Sequence, residues 1–327
     1  IFDSWYFKTF SYQSPLQATI YNIMKKEKIL ITGGSGFVGT NFVDKLPKDI
    51  YEIFSLDIQE PKISFNNVNY LNADIRSSRL GELIKKINPE IILHLAAQSS
   101  VAISSKDPVL DNDVNLNGSL NLYLNSTNSN VEQFISFSTG GAIYGEELGK
   151  KFKESDTTKP LSPYGISKLN FENYLNYFSA IKKFYCKTTI LRPSNIYGPW
   201  QNPLGEAGVV SIFADKMLKN ENVSIFGDGS EYRDYVYIDD VTEFVFKIIN
   251  DKAEGTFNIS SGKITKTIEI FNYISNIIGY KKPPIFLDKR EGDIFGIEID
   301  NSKSKSIGWL PKYNLKSGLE NTVKFLK

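Results

Sequence analysis

Histidine occurs once in these 327 residues, cysteine once and methionine twice. The single histidine, His94, stands inside an apolar run, between Leu93 and Leu95. A packed core side chain is expected there, so a His-based catalytic triad and a zinc site are not, and no other metal site is expected either. The lone Cys186 cannot form an internal disulfide. That suits a reducing compartment, and a cytoplasmic protein is the expectation. Long hydrophobic runs are lacking too: stretches such as Ile91 to Ala97 are far too short to span a bilayer. Surplus charge of one sign is also missing. With 38 basic and 37 acidic residues the net charge is +1, which gives no electrostatic basis for nucleic acid or an anionic membrane as partner.

Apolar residues make up 41% of the chain, enough to build a real core. The length suits one large α/β domain, alone or with a smaller annex. Residues 1–23 are rich in aromatics (Phe2, Trp5, Tyr6, Phe7, Phe10, Tyr12) and show no basic start, apolar stretch and small-residue cleavage site of a secretory signal. They are expected to be an extension outside the fold core, which then begins near Met24.

From Met24 onward, short apolar runs alternate with helical patterns. The strand candidates are Lys28 to Thr32, Ile53 to Leu56, Asn69 to Asn72, Glu90 to Leu95, Gln133 to Ser138 and Lys187 to Leu191. Helical patterns include Phe37 to Leu46 and Leu80 to Lys86. Such alternation predicts a doubly wound parallel α/β (Rossmann) sheet covered on both faces. After Arg192 the rhythm breaks up in proline and glycine. The expected division is a dinucleotide-binding domain of residues 24–191 with 234–261, and a smaller C-terminal α/β substrate part of residues 192–233 with 262–327.

Gly33, Gly36 and Gly39 follow the first strand directly and open a helix with Phe37 and Val38. One glycine makes a tight turn, one lets the backbone approach a pyrophosphate, and one lets the helix pack close to the strand. The helix start then offers free N–H groups and a positive dipole end to the phosphates. Asp57, at the end of the second strand, stands about 20 residues on, where a carboxylate bonds the ribose hydroxyls and repels a 2′-phosphate. NAD is therefore expected over NADP. Asp74 and Ile75 are placed to meet the adenine, and Leu95, Ala96 and Ala97 give the cofactor a wall of modest side chains.

Tyr164 and Lys168 form a Y-x-x-x-K pair that shares one face of a helix, with Ser162 and Pro163 as cap and first-turn residue. A free tyrosine has a pKa near ~10 and is a poor base at neutral pH. A lysine cation beside it, with the charge of an oxidised nicotinamide, favours the phenolate, and the phenolate can take a hydroxyl proton while a hydride leaves the same carbon.

These motifs, in this order, resemble the extended short-chain dehydrogenase/reductase family, in particular its nucleotide-sugar epimerases. The resemblance runs over TGGSGFVG (32–39), HLAAQSSV (94–101), Asn115 with Gly118, STGGAIYG (138–145), YGISK (164–168), residues 191–213, residues 225–241, REGD (290–293) and IGWLP (307–311). The stretch GEAGVVSIF is most similar to UDP-glucose 4-epimerases. The resemblance implies NAD as cofactor, a UDP-sugar as substrate and a homodimer. It makes Tyr164 and Lys168 the catalytic pair and adds Gln98 and Asn115 to the cofactor side. It puts Asn195, Gly208, Val209, Phe226, Arg233, Arg290 and Asp293 on the substrate side, with the two arginines on the diphosphate and Phe226 at the base. Counting on from the REGD motif, Ile297 matches a position that gates the sugar's C2 group, and a side chain shorter than tyrosine implies room for N-acetyl sugars.

One departure stands out. The family usually carries a catalytic Ser or Thr four residues before the tyrosine of its VYG-like motif; here that tyrosine is Tyr144 and the position is Gly140. Hydroxyls sit just before it, at Thr139 and Ser138, leaving Thr139, Ser138, a water or the tyrosine alone to bond the sugar. Family dehydratases place an acid and a base after their Thr, whereas Gly140 and Gly141 follow here and no carboxylate comes before Glu146. The expected activity is inversion at C4 of a UDP-hexose through a 4-keto sugar. The rivals are a 4-keto-sugar reductase or dehydratase of the same family, and a non-catalytic NAD-sensing regulator, which the retained Tyr–Lys pair speaks against.

Overall fold

The computed structural model describes residues 26–182, 186–203, 208–289 and 294–327. Residues 1–23, Arg290 and Asp293 lie outside that set. Seven strands make one sheet: β1 (Glu27–Thr32), β2 (Tyr51–Asp57), β3 (Val68–Asn72), β4 (Ile91–His94), β5 (Gln133–Phe137), β6 (Lys187–Pro193) and β7 (Gly255–Ile259). Every neighbouring pair is parallel. The order across the sheet is β7-β6-β5-β4-β1-β2-β3, so the chain winds outward in both directions from β1 and β4.

Side chains of a strand alternate between faces, and here both faces are buried. Ile29 and Ile31 of β1, Ile91 and Leu93 of β4 and Ile135 of β5 enter one apolar core. Their neighbours Leu30, Ile92 and Phe134 enter the other. That is why these strands read as unbroken apolar runs. The first core is covered by α1 (Phe37–Lys45) and later helices; the second packs beneath α2 (Leu80–Ile87), α3 (Ser119–Ser126) and α4 (Pro163–Ala180).

The predicted elements coincide with observed ones to within a residue or two at each end. The stretch 235–259 divides differently from the expected simple return to the main sheet. Its first residues lie in the strand Tyr232–Tyr237, which pairs with Asn195–Tyr197 and Ile264–Lys266 in a separate small sheet. Only after α6 (Ile238–Asp251) does the chain rejoin the main sheet as β7. Between them, α5 (Val209–Leu218) leads to a second small pairing, Ser224–Phe226 with Ile285–Leu287. The helices α7 (Thr267–Ile278) and α8 (Leu315–Leu326) complete the C-terminal part. Among the described residues no helix is long and apolar enough to cross a membrane.

Candidate active site

The glycine turn sits at the carboxyl end of β1, where a doubly wound sheet opens its crevice. Gly33 has φ +73°, and a side chain on it would overlap the backbone of Leu95 and Ala96 at the end of β4. A side chain on Gly39 would overlap the Gly33 carbonyl. At Gly36 the only near atom would be that same carbonyl oxygen, 3.3 Å away, so an open cradle lies before α1. Among the described residues no side chain caps α1, which leaves its first N–H groups, at Phe37 and Val38, as donors beside that cradle. Asp57 accepts from the backbone N–H of Ser35 and Gln59, at 3.0 Å each, which fixes its carboxylate beside the turn. Asp74 is near the expected rim, but its carboxylate is held by the Arg76 guanidinium, which also reaches Asp113. That pairing holds the Asp74 carboxyl below the usual carboxylate range. Ile75 is buried, and Leu95, Ala96 and Ala97 are partly exposed just past β4.

His94 is buried as expected, and its bonds assign its tautomer. Ser119 Oγ donates to the Asn115 carbonyl, so it accepts from His94 Nε2–H at 2.8 Å. His94 Nδ1 then accepts from Thr32 Oγ1–H at 2.7 Å. Burial, with the Lys168 charge adding to it, pushes the imidazole down to about 3. It is a neutral structural bridge, unable to serve as an acid or base near pH 7.

Helix α4 starts as its sequence predicts: Ser162 Oγ accepts from Gly165 N–H at 3.1 Å, and Pro163 fills the first position. This puts Tyr164 at the mouth of the site and Lys168 one turn deeper, 6% exposed. Thr139, in extended backbone just past β5, places its hydroxyl beside the Tyr164 phenol, where it favours the ionised form. The expected easing of the phenol's proton is absent in the protein alone. Burial, reinforced by Asp111, pushes Tyr164 up to about 12, and the Thr139 hydroxyl only partly offsets it. Burial likewise brings Lys168 down to about 8, against the opposing fields of Glu172 and Asp111. Ser138 Oγ, by contrast, is buried without a partner among the described residues.

The two glycines after Thr139 face different ways. A side chain on Gly140 would meet Ile299 Cδ1 at 2.5 Å and the Arg192 carbonyl at 3.0 Å, inside the protein. One on Gly141 would stand 3.6 Å from Asn195 Oδ1 and 3.9 Å from Thr139 Oγ1, in open contact with the site. Thr139, Tyr164, Gly141 and Asn195 are thus brought together. Gly208 begins α5 ahead of Val209, and Phe226 ends an edge strand with its ring exposed. Arg233 donates to the carbonyls of Tyr232, Ile294 and Phe295, beside the segment that follows the REGD motif. Ile297 does not join this group. It is 2% exposed, in a closed cluster with Ile143, Tyr144, Phe152 and Ile299, so its side chain is spent on packing and offers no gate.

Two features escaped the sequence reading. Asn115 lies in a π-helical turn, Asp113–Gly118, and exchanges bonds with the Gln98 backbone at 2.8 and 2.9 Å. Such turns are local insertions with no periodic signature. Arg192 is buried on Glu172, with Nη2 to Oε2 at 2.6 Å, and also donates to Tyr144 Oη at 2.9 Å. Tyr144 passes the chain on to Asn258 at 2.7 Å. Glu172 is one turn beyond Lys168, so this network locks the helix that carries the pair.

The residues fit a dinucleotide. The cradle at Gly36 is sized for backbone approach, the free N–H groups of α1 suit a pyrophosphate, and Asp57 suits a ribose. The Lys168 ammonium, nearly buried, makes no hydrogen bond among the described residues, which leaves its donors for a ligand.

Comparison with known proteins agrees. A family model described as the NAD dependent epimerase/dehydratase family matches residues 29–260. A UDP-glucose 4-epimerase of Mycolicibacterium smegmatis is 34% identical over 310 residues, 92% of this chain and 98% of that one. Among solved structures, UDP-glucose 4-epimerase of Thermotoga maritima, crystallised with UDP-glucose, is 40% identical with a TM-score of 0.86, covering 91% of this chain and 98% of its own. The UDP-glucose 4-epimerase of Thermus thermophilus, complexed with NAD, is 35% identical with a TM-score of 0.85 and the same coverage. Matched over most of its length in sequence and in fold, the chain belongs to the NAD dependent epimerase/dehydratase family.

Proposed function

We propose that this enzyme inverts C4 of a UDP-hexose, interconverting UDP-glucose and UDP-galactose through a 4-keto sugar, with NAD as its cofactor. The observation that carries the reading is the Tyr164 phenol, with the Thr139 hydroxyl beside it and Lys168 one helical turn on, and no carboxylate at positions 140 and 141. NAD, when bound, supplies a hydride acceptor and a positive charge beside the phenol. Tyr164 takes the proton of the sugar's 4-hydroxyl and later returns it. The Thr139 hydroxyl donates to the phenolate as that charge forms, and the Lys168 ammonium stabilises it. Asn195, Phe226 and Arg233 hold the sugar diphosphate and its base, together with Arg290 and Asp293. Residues 194–237 and 262–327 form the nucleotide-sugar part. Elimination needs a positioned acid–base pair that the glycines at 140 and 141 do not provide, which favours epimerisation over dehydration.

A homodimer is the proposed assembly, and light scattering at micromolar protein tests it. The exposed Val101, Ile103, Val109, Ile166 and Tyr177 offer apolar surface for it on the helices around α4. For the activity, the purified protein is incubated with UDP-glucose, UDP-galactose, their N-acetyl forms and dTDP-glucose, and the products are resolved. The expected result is epimer interconversion with no net cofactor turnover, abolished in Tyr164→Phe while NAD still co-purifies. Net oxidation of NADH, a product without its 6-hydroxyl, or an active Tyr164→Phe overturns the reading.

A further inference from the structure

Asp111 is fully buried, at 0% exposure, on the short helix Pro108–Asn112. Its Oδ1 accepts from Gln98 Nε2 at 2.8 Å and from Asn115 Nδ2 at 3.0 Å. Its Oδ2 accepts from Ser167 Oγ at 2.6 Å. All three donors are neutral, and among the described residues no cation hydrogen-bonds the carboxylate. A buried carboxylate in a neutral shell is costly, and an amide of the same shape meets the same three partners. An asparagine oxygen would accept from Gln98 and Asn115. Its nitrogen would donate to Ser167 Oγ, whose own hydrogen already has the Tyr164 carbonyl within 3.0 Å. The hydrogen bonds alone therefore do not account for a carboxylate here.

We propose that Asp111 is a positioning residue for the Tyr164–Lys168 pair: a buried negative charge behind α4 that fastens the first turn of that helix, through Ser167, to the cofactor-side residues Gln98 and Asn115. The inference rests on the reading of Tyr164 as the base. The groups facing the pair are few. Thr139 from the end of β5 and Asp111 from Pro108–Asn112 act on Tyr164; Asp111 and Glu172, the latter from the same helix, act on Lys168, whose charge in turn acts on His94 from β4. His94 is neutral, and Glu172, ion-paired with Arg192, acts on Lys168 but not on Tyr164. Asp111 is thus the carboxylate of this shell that acts on both members. Its negative charge favours the protonated form of each. With Glu172 it keeps Lys168 an ammonium against burial, and it adds to burial in keeping the proton on Tyr164 until the positive charge of the oxidised cofactor arrives. The base is then armed only when cofactor is in place, and an unloaded site does not carry a naked phenolate.

The test uses the NAD-loaded protein with Asp111→Asn, Asp111→Glu and Tyr164→Phe. Ultraviolet difference titration, each protein minus its Tyr164→Phe counterpart, reads the Tyr164 proton without turnover; the pH profile of kcat is the second readout. Asp111→Asn is expected to lower the Tyr164 midpoint by about one pH unit and to move both limbs of the kcat profile to the acid side. Asp111→Glu, which keeps the charge, is expected to leave the midpoint in place. Superimposable titrations for wild type and Asp111→Asn, or a shift to higher pH, overturn the proposal. So does Asp111→Glu moving the midpoint downward, which also decides the matter if the Asn variant does not fold. An active Tyr164→Phe defeats the proposed base but leaves the difference titration of Asp111 readable, so the two failures are distinguishable.

Discussion

Thr139→Val and Ser138→Ala separate two neighbouring hydroxyls that the sequence leaves equivalent. Valine keeps the volume of threonine at a site only 9% exposed, and removes the hydroxyl beside Tyr164. A bond to a group that becomes charged is worth about 1.5–3 kcal/mol. If it forms fully only as the phenolate develops, kcat falls roughly ten- to a hundredfold. The sign of the pH effect also follows. Thr139 favours the phenolate, so its loss raises the Tyr164 pKa, and the acid limb of the kcat profile moves to higher pH. Ser138 differs, because its Oγ is buried with no partner among the described residues. Removing a buried unsatisfied hydroxyl recovers part of a desolvation cost of about 1–3 kcal/mol. Ser138→Ala should therefore keep its turnover and melt at the same or a higher temperature. Steady-state kinetics over pH, with thermal melts of both variants, make the comparison. Turnover of Thr139→Val within about twofold of wild type, or an equal loss in Ser138→Ala, would refute the reasoning.

Two further outcomes follow from space that a side chain would fill. Gly36→Val should fold, since only the Gly33 carbonyl lies near, but lose NAD by filling the cradle, whereas Gly39→Ala should lose about 1–3 kcal/mol of stability by overlap with the Gly33 carbonyl; calorimetry with NAD and thermal melts distinguish them, and unchanged NAD affinity in folded Gly36→Val counts against the cradle. Ile297→Tyr should overpack the cluster of Ile143, Tyr144, Phe152 and Ile299, costing about 1–3 kcal/mol and lowering plain and N-acetyl hexose turnover together; a selective loss of the N-acetyl substrates would instead restore Ile297 as the gate.

The sheet was legible because its strands are buried on both faces. Ile29 to Ile31 and Ile91 to Leu93 feed two cores in alternation, which no half-buried strand or surface helix imitates. The glycine turn and the Ser162–Pro163 start of α4 were legible because each is a local rule, set by backbone geometry within a few residues. What stayed hidden depends on residues far apart in the chain. Asp111 meets Ser167 across 56 positions, and Arg192 and Tyr144 meet across 48. No period or spacing announces such pairs; only the winding of the sheet brings them together. The state of the Tyr164 phenol before NAD binds was hidden for a related reason. Sequence shows the lysine four residues on, but it does not show the burial and the Asp111 field that raise the phenol in the protein without NAD.

The displaced hydroxyl and the failed gate have one cause. The short strand Glu298–Ile299 pairs with Lys151–Phe152, and this brings Ile297 and Ile299 against Ile143, Tyr144 and Phe152. Ile297 is thereby sealed into the cluster, and Ile299 Cδ1 occupies the space into which a side chain at position 140 would project. A serine there could not be accommodated without moving Ile299 or the Arg192 and Pro193 carbonyls, and in this backbone it would point away from Asn195 and Thr139. Counting back from Tyr144 thus lands on the one position of the turn whose side chain is excluded from the site. Thr139, with φ −150° and ψ 124°, is the residue from which a hydroxyl reaches Tyr164. Gly141, the next position to face the site, stays bare and leaves room beside Asn195. Gly140 is then a packing consequence of the C-terminal segment, and the hydroxyl is carried one residue earlier because that wall closes the position at which the count places it.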